Sequence, residues 1–244
     1  MKSNCLNISR LAFIVPLFLL AACQTKLSTI PHDSAPEPSA KPGINTEYLK
    51  PGLQVSQWVE RFEKEGREIY DHRKEIVAAA RIRPGMAVGD IGSGTGLFTP
   101  MLAEAVSAKG KVYAVDIVPK FLELIRERTA SAGIKNIETV LCSERSVELP
   151  AHSIDLAFVC DVYHHFEYPR SSLASLHRAL RRGGEIVLID FKRIPGVSSD
   201  WAMNHIRAGQ EVFTAEIEAA GFKKIEQIDL LKDNYILRFR KVDD

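Results

Sequence analysis

Short apolar runs separated by amphipathic stretches organise most of this chain. The runs lie near 86–90, 111–115, 137–141, 154–160 and 185–190. Each is strand-length, so each predicts a short buried strand. The segments between them, such as Lys120 to Ala132, carry apolar residues at helical spacing. Repeated strand–helix–strand units predict a parallel sheet with helices on both faces. The end of the chain differs. Lys223 to Leu230 and Tyr235 to Lys241 are joined only by Leu231-Lys232-Asp233-Asn234. That link is too short for a crossover helix, so the two runs must form a hairpin and one of them must run antiparallel. The expectation is an α/β, Rossmann-like three-layer sandwich. Its seven-stranded sheet is mostly parallel, with one antiparallel strand near the edge.

Ahead of the first strand, Trp58, Phe62, Ile69, Tyr70, Arg73, Ile76, Val77 and Ala80 continue a helical pattern from about Val55 until Pro84-Gly85 stops it. The segment from Gln24 to about Asn45 holds Pro31, Pro36, Pro38 and Pro42 and almost nothing apolar, which predicts an extended tether. Before it, Lys2 and Arg10 precede the apolar run from Leu11 to Ala22, too short to span a bilayer comfortably.

At 244 residues, 45% hydrophobic and 26% charged, the chain has room for one sizeable globular domain. A net charge of +1 gives no reason to expect a nucleic-acid partner. Cys5, Cys23, Cys142 and Cys160 show no C-x-x-C spacing, so no zinc site is expected on them.

The chemistry centres on Val88-Gly89-Asp90-Ile91-Gly92-Ser93-Gly94-Thr95-Gly96-Leu97, a strand, a glycine turn and a helix expected to begin near Thr95. Leu97 occupies the place where a dinucleotide fingerprint needs its third glycine, and no Gly-Lys-Ser/Thr closes a Walker loop. About 20 positions after the last glycine, Asp116 ends the second strand, where a carboxylate can hold a ribose diol. In these residues the chain resembles the class I S-adenosylmethionine-dependent methyltransferases, whose first motif is D-x-G-x-G-x-G with an acid ending strand two. The resemblance implies S-adenosyl-L-methionine as cofactor, held by Asp90, Gly92, Ser93, Gly94, Gly96, Asp116 and Ile117. It adds Tyr70 from the preceding helix, with Arg67 as a second candidate there, and Asp161 after strand four. Ser143 and Glu144 stand where family members commonly carry an aspartate to the adenine amino group. The antiparallel strand agrees with the same resemblance.

Strand four runs into Asp161-Val162-Tyr163-His164-His165, and the resemblance places this loop near the methyl-bearing sulfur. Tyr163, His164 and His165 are therefore the catalytic candidates, with a histidine as general base. Adjacent histidines in an ordinary loop point apart, so no metal is expected. Gly183 and Gly184 are read as a structural turn before strand five. Between that strand and the next helix, Ile194 to Gln210 is the segment that shapes the acceptor pocket in this superfamily. Arg193, His205 and Arg207 are its acceptor candidates, the arginines as a clamp for an anion or as solvated residues.

Leu20-Ala21-Ala22-Cys23 resembles the lipobox of bacterial lipoproteins, which implies cleavage before Cys23 and its acylation. The expected organisation is a lipoprotein signal peptide over 1–22, a lipidated cysteine and Pro-rich tether over 23–50, and a methyltransferase domain over 51–244. Cys23 would anchor the chain in a bilayer of the cell envelope. In a Gram-negative cell, Gln24 points to the outer membrane facing the periplasm. The expected activity is methyl transfer to an unidentified small-molecule acceptor. Export sits awkwardly with a cofactor made in the cytoplasm. That leaves a non-catalytic envelope lipoprotein binding S-adenosylmethionine, S-adenosylhomocysteine or another nucleoside as one alternative, and an NAD-type oxidoreductase as a weaker one.

Overall fold

The sheet grows outward from β1 (Ala87–Ile91), which pairs in parallel with β2 (Lys111–Asp116) on one side and β4 (Ile154–Cys160) on the other. With β3 (Ile137–Leu141), β5 (Leu180–Phe191), β6 (Phe222–Ile228) and β7 (Asn234–Lys241), the strand order is β3-β2-β1-β4-β5-β7-β6. β7 runs antiparallel to both β5 and β6, so the terminal hairpin and its single reversed strand are as expected. This computed structural model describes Met1 and residues 36–242. The expected signal peptide and Cys23 lie outside the described residues. The chain divides into residues 1–36 and 37–244, and the second unit is the one with the sheet.

Both faces of the central strands are buried, which is why their sequences read as nearly unbroken apolar runs. Along β5, Ile186 and Leu188 join one core with α6 (Pro169–Ala179) and α8 (Gln210–Ala219). Val187 and Ile189 join the opposite core with α3 (Arg73–Ala79) and α4 (Thr99–Val106). α5 (Pro119–Ser131) covers β2 and β3.

The long N-terminal helix expected from Val55 is broken into α1 (Val55–Phe62), α2 (Glu68–Asp71) and α3. Gly66, at φ +83°, makes the break, and its N–H donates to the Asp71 carboxylate. The helix expected near Thr95 begins at Thr99 instead, because Gly92, Gly94 and Gly96 all hold positive φ. β5 starts earlier than expected. Gly183 and Gly184 lie within it as a bulge opposite Ile154–Leu156 rather than as a turn before it.

The segment from Glu37 to Lys50, expected to be tether, packs on the domain. The Glu37 carboxylate accepts from the backbone N–H groups of Arg170 and Ser171 in the first turn of α6, at 2.7 and 2.8 Å. Lys41 donates to the carbonyls of Asn204 and His205 at the end of α7 (Asp200–His205). Asn45 is buried and donates to Glu144 and to the His165 carbonyl, and the Tyr48 ring stacks on Trp58. Four side chains thus fix a strap that has few apolar residues of its own. No helix among the described residues is long and apolar enough to cross a membrane.

Candidate functional site

The carboxyl ends of β1, β2 and β4 open into a cleft of about 480 Å³. Its floor is the glycine turn. Gly92, at φ +68°, has no room for a side chain, since a Cβ would come 2.2 Å from Val162. A Cβ on Gly94 would meet nothing nearer than Phe62, at 3.7 Å, so this position leaves backbone open to the cleft. Asp116 fixes the turn from below. Its Oδ2 accepts from the Gly94 N–H and its Oδ1 from the Val118 N–H, both at 2.8 Å. Each oxygen keeps a second lone pair, so the carboxylate can also accept from a diol. Burial pushes Asp116 up to about 6, against the pull of those N–H donors. Ser93 and Thr95 also line the cleft, with their hydroxyl oxygens buried and without a hydrogen-bond partner. Open backbone, an anchored carboxylate and unpartnered hydroxyls suit a ribose-bearing, polar-ended ligand.

The predicted cofactor residues divide. Gly92, Ser93, Gly94, Asp116, Ile117, Ser143, Glu144 and Asp161 line the cleft. Asp90 does not. It sits beneath the turn, accepts from the Thr99 hydroxyl at 2.6 Å, and is pushed up to about 7 by burial. Gly96 also faces elsewhere, with a Cβ position 2.7 Å from Ile125 of α5. Tyr70 is not in the lining and packs under the Arg73 guanidinium. The break at Gly66 turns its neighbours Arg67 and Ile69 into the cleft instead. Arg67 pairs there with Asp161, whose other oxygen accepts from Asn234 at 2.8 Å. Burial pushes Asp161 up to about 6, and Arg67 restrains that rise.

At the other end of the cleft the three catalytic candidates separate. Tyr163 is core: it packs on Phe213 and Phe166 and donates to Glu216 at 2.9 Å. His164 and His165 line the cleft, and so does His205 from α7. A 3₁₀ turn over Tyr163–His165 makes the two neighbouring rings converge, with centroids 4.3 Å apart, so they do not point apart as expected of a loop. His164 Nδ1 meets the buried Asp190 carboxylate at 2.8 Å. His165 Nε2 and His205 Nε2 face each other at 3.3 Å. Burial lowers His165 to about 2 and His205 to about 4, so both are neutral near pH 7.

Neither acceptor arginine lines the cleft. Arg207 is tied to Glu216 by two bonds of 2.6 and 2.7 Å beneath the site, and Arg193 donates to the Met203 carbonyl. Both are consumed by local structure. Several lining residues went unread in the sequence, among them Asn45, Tyr48 and Phe121. The one signal for the first two was an aromatic residue, Tyr48, following a stretch too polar to need one.

Residues 89–188 match the family model described as a methyltransferase domain. This part of the chain resembles a methyltransferase domain. The turn and Asp116 described above fit S-adenosyl-L-methionine as the cofactor of such a domain. The domain is similar to the ubiquinone/menaquinone biosynthesis C-methyltransferase UbiE of Burkholderia cenocepacia, 29% identical over 118 residues. The match covers 48% of this chain and 48% of that protein, so the chain spans about half the length of the relative. In fold, the methyltransferase domain resembles a SAM-dependent methyltransferase from Aquifex aeolicus. That TM-score is 0.68 at 23% identity, covering 78% of this chain and all of the other. It also resembles the [4+2]-cyclase SpnF, with a TM-score of 0.63 at 16% identity over 85% of this chain and 97% of that one. Together these likenesses support the class I S-adenosylmethionine-dependent methyltransferase family.

Proposed function

We propose that the domain transfers a methyl group from S-adenosylmethionine to a small, uncharged acceptor seated between the cofactor and the three histidines. The observation that carries this reading is Asp116, clamped to Gly94 and Val118 with free lone pairs at the open glycine turn. On this reading Asp116 holds the ribose hydroxyls, Ser143 or Glu144 meets the adenine, and Arg67 and Asp161 meet the carboxylate and amine of the methionine part. The cofactor supplies an activated methyl on a sulfonium. The protein contributes positioning and exclusion of water.

The acceptor end is walled by Phe191, Trp201 and the histidines; Arg193 and Arg207 are tied up elsewhere, and Arg61, which lines the cleft, lies over the Trp58 ring. An aromatic or other apolar-bodied molecule suits such walls better than an anion does. The named chemistry of the UbiE relative, C-methylation in quinone biosynthesis, is one acceptor class of this kind. Burial disfavours the protonated forms of His165 and His205, so His164, gripped by the Asp190 carboxylate, is the ring placed to accept a proton from the acceptor.

Calorimetric titration of the folded chain with S-adenosylmethionine and S-adenosylhomocysteine, with Asp116→Ala alongside, tests the reading. Micromolar binding that is lost in the variant supports it. No binding by the folded wild type would sink it. Binding with no transfer of labelled methyl to any acceptor would leave a binding protein. Envelope anchoring through Cys23 is a separate proposal resting on Leu20-Ala21-Ala22-Cys23. Labelled palmitate should enter the wild type and not Cys23→Ser.

A further inference from the structure

The acceptor end of the cleft gathers one ring nitrogen from each of His164, His165 and His205 within 4.8 Å of one another. Three features of the cluster point past a proton acceptor. The first is spacing. A tetrahedral zinc ion with Zn–N bonds of about 2.0–2.1 Å holds its nitrogens about 3.3–3.4 Å apart. His165 Nε2 and His205 Nε2 already stand at 3.3 Å, the edge such an ion requires. The second is orientation. Asp190, fully buried, accepts from the backbone N–H groups of His164 and Phe191 and holds His164 Nδ1 at 2.8 Å. A carboxylate gripping one imidazole nitrogen so that the other faces a site is the usual support behind a metal-ligating histidine. The third is the second support. Trp201 stacks on His205 with ring centroids 4.8 Å apart, and Lys41 ties down the backbone carbonyl of His205.

We infer that His164, His165 and His205 form a binding site for a divalent transition-metal ion, with zinc the best match. Its fourth position opens into the cleft and takes an oxygen or sulfur donor of the acceptor. Three imidazoles with one open position are a donor set found in catalytic zinc sites. Of the charges around the cluster, Asp190 favours a cation, whereas the ammonium of Lys41 and the guanidinium of Arg61 oppose it. The inference deepens the acceptor end of the methyl-transfer reading. It rests on the histidines and not on the cofactor.

The test is a titration of the untagged full chain, stripped with a chelator, with cobalt(II) in the absence of cofactor. One equivalent should give the visible ligand-field absorption of four-coordinate nitrogen ligation, and zinc should displace it. His205→Ala, on the partly exposed end of α7, should weaken binding at least about tenfold, whereas His72→Ala should leave it unchanged. A folded wild type without the band overturns the inference, and so does a band unaltered in His205→Ala. If His205→Ala does not fold, modification of the wild type by diethylpyrocarbonate decides. Zinc should protect His165 and His205, and protection confined to other histidines refutes the site. S-adenosylhomocysteine binding without metal binding would remove this inference alone, and the reverse result would remove the cofactor reading alone.

Discussion

Arg67→Met offers a quantitative test of the ion pair at the methionine end of the cleft. Asp161 is nearly enclosed, its side chain 8% exposed, while that of Arg67 is 25% exposed. Removing one partner of a buried pair costs about 3–5 kcal/mol, because the remaining charge is left desolvated. Solvent reaches the Arg67 side, and Asn234 still donates to Asp161, so a discount to about 2–3 kcal/mol is appropriate. The sign with pH follows from Asp161, raised to about 6 by burial with Arg67 restraining the rise. Without Arg67 the folded carboxylate rises further, so its ionised form becomes still less favourable in the fold. The loss is therefore largest near pH 8, where wild-type Asp161 is ionised. It shrinks as pH falls through about 6, where Asp161 is protonated in both proteins. About 1 kcal/mol should remain at low pH for the lost neutral hydrogen bond. At about 2–4 °C per kcal/mol, melting should drop by about 5–10 °C near pH 8 and by only a few degrees near pH 5. Thermal unfolding of both proteins across this range is the assay. Equal drops at the two ends, or a larger drop in acid, would show that the charge of Asp161 is not what Arg67 stabilises.

Asp116→Asn should weaken S-adenosylhomocysteine binding by about 1.5–3 kcal/mol, roughly 10- to 150-fold, because one charged acceptor for the diol is lost. In the wild type, calorimetry should show affinity falling as pH drops below about 6, as Asp116 takes up a proton and can no longer accept from both hydroxyls. Gly92→Ala and Gly94→Ala should differ. The first drives a methyl to 2.2 Å from Val162 and should fail to fold or lose several kcal/mol. The second has space and should cost about 1 kcal/mol of backbone strain while blocking cofactor, a contrast read by melting and titration together. Arg207→Met, which strands Glu216 beneath the site, should lower thermal stability while leaving cofactor affinity within about twofold of wild type.

Much of the scaffold was legible because burial on both sheet faces writes itself as uninterrupted apolar runs, and a four-residue link between two runs leaves only a hairpin. The glycine turn and Asp116 were legible for a related reason: positive φ and close packing restrict those places to few residue types. The strap was not. Its anchors are polar side chains reaching partners far along the chain, such as Glu37 to Ser171, and that composition also describes a loose tether. The histidine cluster was half legible. His164 and His165 mark the loop, but their convergence depends on a 3₁₀ turn and on α7 delivering His205 from 40 residues away. Arg193 and Arg207 show the opposite error. A charged residue near a cleft looks the same in sequence whether it is free or, like Arg207, already paired with a glutamate nine residues on.

The position of β7 bears on how this domain can be made. β7 follows every other strand in the chain, yet it lies between β5 and β6, hydrogen-bonded on both sides. It also carries the buried Arg238, which reaches the carbonyls of Ala79 and Ala80 at the end of α3 and the carboxylate of Glu185. As the chain emerges from the ribosome, β1 to β5 can associate first, but one flank of β5 stays exposed until residues 234–241 arrive. During that interval the bare edge of β5 can recruit a second nascent copy. Shortening the chain within β7 would therefore bare β5 and cut β6 off from the sheet, where the same trimming of an outer strand would only narrow it.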